Sequence, residues 1–244
     1  MTNQKVLYAE LTPKEFREKI AQTPIAYLPL GTLEWHGEHL PIGADGLQSQ
    51  GFFIELAKEV GGIVLPMLFL GPDRKEVVDE KDYYGMDIYG FRDSSPQQLD
   101  GSAYWVEESL FRQLIESTLY LLKRAGFKIV VAHGHGPSTG HFKNWSKELG
   151  EKLGMKLFVV WRQDESDGLG IQTDHAAANE TSLLMALRPE LVQMENLPED
   201  LDVWPVAVGG KDPRIYASGE QGKKAIAMQV ERMADILRKA LNEI

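Results

Sequence analysis

Apolar runs alternate with helical periodicity along the chain. IAYLPL (25–30), GIVLPMLFL (62–70), FKIVVAHG (127–134) and KLFVVW (156–161) are short stretches rich in Val, Ile and Leu. Their apolar residues run consecutively rather than at alternate positions, the pattern of strands buried on both faces of a parallel sheet. Between them lie segments with helical spacing, at 11–22, 46–61, 104–126, 139–154, 175–189 and 218–244. Thr12 followed by Pro13 and Glu15 predicts a capping box at the first helix. Gly61 and Gly126 are its counterparts as helix stops further on. This alternation predicts an α/β fold, a three-layer α/β/α sandwich with a mostly parallel central sheet. Residues 71–104, rich in Gly, Pro, Asp and Tyr, predict a long irregular insertion, a lid or substrate-facing segment. No internal repeat, low-complexity tract or linker breaks the chain, so residues 1–244 are read as one domain.

Composition narrows the function classes. The 244 residues are 43% hydrophobic and 25% charged, enough to bury a full core. A net charge of −10 leaves no domain-wide positive field for a nucleic-acid partner. Cysteine is absent, which removes disulfides, thiolate nucleophiles and every cysteine-based zinc site. The opening residues lack a secretory pattern and no apolar run is long enough to span a membrane. A cytoplasmic protein without a membrane partner is the expectation.

The candidate chemistry is concentrated in AYLPLGTLEWHGEHLPIGADG (26–46), where Glu34, His36, Glu38, His39 and Asp45 follow an apolar strand. Open parallel sheets bind ligands outside the carboxyl ends of their strands. His133 and His135 follow another strand, and His141 and His175 come soon after strands, so all six histidines are expected near one sheet edge. Glu34 and His36 are two apart and share a side in extended backbone. Carboxylate plus imidazole suits zinc, manganese or iron(II). Asp45 can return across the Gly43 turn and use its two oxygens to bridge a pair of metals, with His135 closing the sphere. HGEH is not the H-E-x-x-H of zinc proteases. The H-x-E of zinc deaminases lacks its cysteines here, and no G-x-S-x-G elbow is present. His39 is expected to hold its loop by a hydrogen bond, Glu38 to be solvated and His141 to be structural.

LPLGTLEWHGEHLPIGADG, then AHGHG, then DHAAANETSLLMAL and finally GGKDPRIYASGEQG resemble the creatininase family in content, order and spacing over essentially the whole chain. The resemblance implies a metal-dependent amidohydrolase on an α/β sandwich, commonly a homohexamer. Members open cyclic amides, deformylate purine-pathway intermediates or trim a peptide. By motif position it makes Glu34 and His135 ligands of one divalent ion and His36 and Glu180 ligands of another, with Asp45 between them. His175 becomes the acid/base residue. Zinc is the expected metal, manganese and iron also fitting.

The chain departs from the family's N-G-H-G-G-N at His133 and at Pro137-Ser138. Creatinine-hydrolysing members place a ligand Glu where Pro137 stands, and a pocket Trp where Ile171 stands. The expected substrate is therefore a small amide, linear or cyclic, other than creatinine and other than an ordinary peptide. A peptide-maturing metalloenzyme and a non-catalytic scaffold are the alternatives.

Overall fold

Thr12 starts the first helix by the capping box its spacing suggests: Thr12 N–H donates to Glu15 Oε2 at 2.7 Å and Glu15 N–H to Thr12 Oγ1 at 3.3 Å. The computed structural model describes residues 5–161 and 168–244. That helix, α1 (Pro13–Gln22), leads to β1 (Ile25–Leu30), α2 (Ala44–Val60), β2 (Ile63–Val64) and a hairpin of β3 (Lys75–Val78) and β4 (Lys81–Tyr84). Next come the one-turn α3 (Met86–Tyr89), α4 (Glu108–Ala125), β5 (Ile129–Gly134), α5 (Gly136–Leu153) and β6 (Lys156–Val159). The chain ends through α6 (Ala178–Leu187), the short α7 (Pro213–Tyr216) and α8 (Gly219–Leu241). Among the described residues, no helix is long and apolar enough to cross a membrane.

The central sheet has the order β2-β1-β5-β6 and every pair is parallel. Its strands explain their unbroken apolarity. Ile25, Tyr27, Ile129 and Val131 pack with Phe52, Phe53 and Leu56 of α2 and with Leu237 of α8. The intervening Ala26, Leu28, Val130 and Ala132 pack with Phe111, Ile115 and Leu119 of α4 and with Phe142 of α5. Each fully buried Leu, Ile or Phe among them contributes about 1.5–3 kcal/mol. The result is the expected three-layer sandwich.

Two expectations need correction. The run 62–70 is a regular strand only over Ile63–Val64, because Pro66 has no N–H to continue the ladder. Leu65 N–H and Leu68 N–H still donate to Tyr27 O and Pro29 O, at 2.8 and 2.9 Å. The insertion at 71–104 is not wholly irregular, since it holds the β3–β4 hairpin and α3.

Topology then places the site. From β1 the chain crosses through α2 to β2 on one side, whereas from β5 it crosses through α5 to β6 on the other. The connections diverge between the carboxyl ends of β1 and β5, the kind of switch point where such sheets open a crevice.

Candidate metal centre

Each sequence-predicted residue reaches that crevice from a different local structure. Glu34 and His36 lie on the loop leaving β1, and Asp45 falls in the first turn of α2, which begins two residues before the predicted start. His135 caps the start of α5, where Pro137 occupies the first turn and its missing N–H costs nothing. Glu180 is in the first turn of α6. His175 stands ahead of that helix rather than on it, pairing through its backbone with Gly209. Glu34, His36, Asp45, His135 and Glu180 are all buried, and His175 is partly exposed.

Asp45 turns a different oxygen toward each of two histidines. Its Oδ1 is 3.4 Å from His36 Nε2, and its Oδ2 is 3.1 Å from His135 Nδ1. Glu180 Oε2 lies 3.6 Å from the same His36 nitrogen, and Glu34 Oε2 lies 3.7 Å from the same His135 nitrogen. His36 Nε2 is buried with no hydrogen-bond partner. Ligand atoms about 2.0–2.2 Å from a tetrahedral zinc are about 3.3–3.6 Å from one another. The His36–Asp45 and His36–Glu180 separations match that spacing and suit a shared cation better than hydrogen bonds, and the three donors all lie within 4.8 Å of one another.

Backbone carbonyls, which can only accept, orient the rings. His36 Nδ1–H donates to Glu34 O at 3.0 Å, turning Nε2 toward the crevice. His135 Nε2–H faces Pro72 O and Asp73 Oδ2, both at 3.3 Å, turning Nδ1 toward Asp45 and Glu34. His175 Nε2–H donates to Trp35 O at 2.7 Å, and its ring stacks on His36 at 4.3 Å. Partners of this kind fix tautomer and orientation in histidines that bind metals.

Electrostatics calls for positive charge here. Burial opposes protonation of His36, but Asp45, Glu180 and Glu34 outweigh it and push its pKa up to about 10. Burial also opposes protonation of His135, and Asp45 and Asp73 still raise it well above the usual histidine value. Burial lifts Glu34 to about 7 and raises Glu180 well above the carboxylate range. Asp45 goes the other way: burial would raise it, but both imidazoles hold it well below. Burial and the charge of His36 press His175 down to about 3, so it is neutral.

Four participants are not visible in the sequence: Asp73, Met86, Asp174 and Gln172. Asp73 arrives from the insertion, and the bare Gly85 lets that backbone approach; a Cβ there would lie 2.3 Å from Glu34 Oε1 and 2.6 Å from Asp73 Oδ2. Met86 N–H donates to Glu34 Oε1 at 2.9 Å. Asp174 accepts from Asn179 N–H and Glu180 N–H, at 2.8 and 3.1 Å, fixing the turn that presents Glu180. Gln172 donates to Asp45 Oδ1 at 3.0 Å. The remaining histidines lie outside the cluster. His39 Nε2 pairs with Thr181 Oγ1 at 2.8 Å, and His133 is buried behind the crevice with Nε2–H on Ile171 O at 3.1 Å. His141 Nδ1 faces Glu108, at the start of α4, at 3.2 Å. Glu38 is exposed. Above the cluster opens a cavity of about 440 Å³, lined among others by Met86, Tyr89, Trp161 and His175.

The family model for creatininase (creatinine amidohydrolase) matches residues 9–243. The chain belongs to the creatininase family. It is thereby a hydrolase of a metal-dependent amidohydrolase family. The creatinine amidohydrolase of Pseudomonas putida is 26% identical, with 97% of each chain covered. Two solved creatininase structures share the fold. A mutant of Zn–Zn type has a TM-score of 0.74 at 21% identity, covering 97% of this chain and 99% of that one. A manganese creatininase has a TM-score of 0.73 at 22% identity over the same shares.

Proposed function

We propose that this creatininase-family chain is a two-cation hydrolase of a small amide, linear or cyclic, that is neither creatinine nor an ordinary peptide. The division of the Asp45 oxygens between His36 and His135 carries this reading. Glu34 and His135 would hold one cation, His36 and Glu180 the other, and Asp45 both. Oxygen and imidazole donors suit zinc first, with manganese or iron also fitting. The solved relatives of Zn–Zn and manganese type support that choice. When bound, such ions polarise the amide carbonyl and lower the pKa of water from 15.7 toward about 7.

The chain's own groups supply the rest. With Nε2–H committed to Trp35 O, the neutral His175 has Nδ1 free to take a proton from the attacking water and return it to the departing nitrogen. Asp73 and Pro72 O hold the His135 ring, and Met86 N–H holds Glu34. A cavity of about 440 Å³ suits a small molecule and favours it over an extended peptide. Creatinine is disfavoured because Ile171, where creatinine-hydrolysing members carry a pocket Trp, is packed into the core. Homo-oligomeric assembly, a hexamer by resemblance, belongs to the same reading. The exposed Leu201, Val203, Ile215 and Tyr216 offer apolar surface for it.

The test joins metal content to hydrolysis. His36→Ala and Asp45→Ala should each lose bound zinc and all turnover on a panel of formamides, cyclic amides and peptides. Two ions retained in either variant would end the mechanism.

A further inference from the structure

Gln172 is a buried, uncharged side chain beside a cluster of acids and imidazoles. Its Nε2 donates to Asp45 Oδ1 at 3.0 Å and to the Asp45 backbone O at 3.2 Å. Both amide hydrogens are thereby used, and the reversed amide would set an acceptor against two acceptors, so its orientation is fixed. The backbone at Gln172 has φ +54, the left-handed region that a long side chain rarely adopts. It is pinned from two sides: His133 Nε2–H donates to Ile171 O at 3.1 Å and Trp161 Nε1–H to Gln172 O at 3.3 Å. Strain held by its surroundings in this way is characteristic of functional sites.

The bond goes to the oxygen that faces His36. Asp45 Oδ1 faces His36 Nε2 at 3.4 Å, and Oδ2 faces His135 Nδ1 at 3.1 Å. A carboxylate on a rotatable bond serves two cations only while its plane is held. We infer that Gln172 is a positioning residue that fixes the twist of the Asp45 carboxylate, so that one oxygen serves each cation. This rests on the two-cation reading above. His133 and Trp161 act one step further back, holding the strap that carries Gln172. Without the amide, the Asp45 side chain is anchored by its Oδ2 contact with His135, and Oδ1 loses the bond that keeps it toward His36.

Loss of such an outer partner costs typically 10–100-fold in metal affinity, and here the loss falls on the His36 side alone. The test is zinc titration by calorimetry into metal-stripped protein, with elemental analysis after dialysis and a thermal melt as the folding check. Gln172→Met keeps the length without a donor, and Gln172→Asn keeps an amide too short to reach. Wild type is expected to take up two ions, whereas both variants keep the first and bind the second 10–100-fold more weakly. Their kcat falls with KM little changed. Two ions at wild-type affinity in both variants would overturn the role of Gln172 alone. A wild type that never exceeds one ion would overturn the two-cation reading and this inference with it. Misfolding of both variants would assign Gln172 to stability and likewise overturn it.

Discussion

The carbonyl oxygen of Leu30 occupies the place where a side chain on Gly134 would begin: a Cβ there would lie 1.7 Å from it. Gly134 has φ +144, and the next residue, His135, donates its N–H to the same oxygen at 3.2 Å. The end of β5 is thus drawn against the end of β1, and this places His135 over Asp45. Gly134→Ala must part the two strands as well as adopt a backbone that only glycine favours, a strain of about 1–3 kcal/mol by itself. A lowered urea midpoint and weakened zinc binding are expected together. Unchanged stability in equilibrium unfolding would show that the strand ends tolerate separation.

Burial keeps neutral two histidines that are not among the proposed ligands. It depresses His133 to about 4 and His39 to about 4, where an unfolded histidine titrates near 6.5. The unfolded chain therefore binds protons that the folded chain refuses as pH falls from 6.5 toward 4. The linked stability is fully present above 6.5 and is lost over that window, up to about 3 kcal/mol for each group. His133→Asn removes one of the two. Its unfolding free energy, followed by urea titration from pH 7 to 4, should fall less steeply than that of wild type, and an equal slope would contradict a neutral His133.

His175 separates catalysis from metal binding. In His175→Ala the Glu34, His36, Asp45, His135 and Glu180 donors remain, so two zinc ions should stay bound while kcat falls about 10²–10⁴-fold, the usual worth of a placed proton carrier. Loss of zinc in step with activity would make His175 a ligand instead.

The parts legible in the sequence are those encoded locally. The runs at 25–30 and 129–132 are apolar at every position because helices cover both faces, and that pattern needs no tertiary knowledge. Glu34, His36 and Asp45 sit within one loop and the following helical turn, so spacing alone brings them together. Asp73 was not legible. It meets His135 across 62 positions of chain through an insertion whose approach depends on the bare backbone of Gly85. Gln172 reaches Asp45 across 127 positions from a left-handed backbone, which no period reveals. His141 takes the structural place expected of it, since the second turn of α5 sets it against Glu108.

Diffraction from zinc-loaded crystals, recorded on both sides of the zinc absorption edge, tests the shared Asp45 most directly. Two anomalous peaks are expected, one beside His36 Nε2 and Glu180, the other beside His135 Nδ1 and Glu34, with a different Asp45 oxygen on each. A single peak, or a pair that leaves Asp45 untouched, would contradict the two-cation centre.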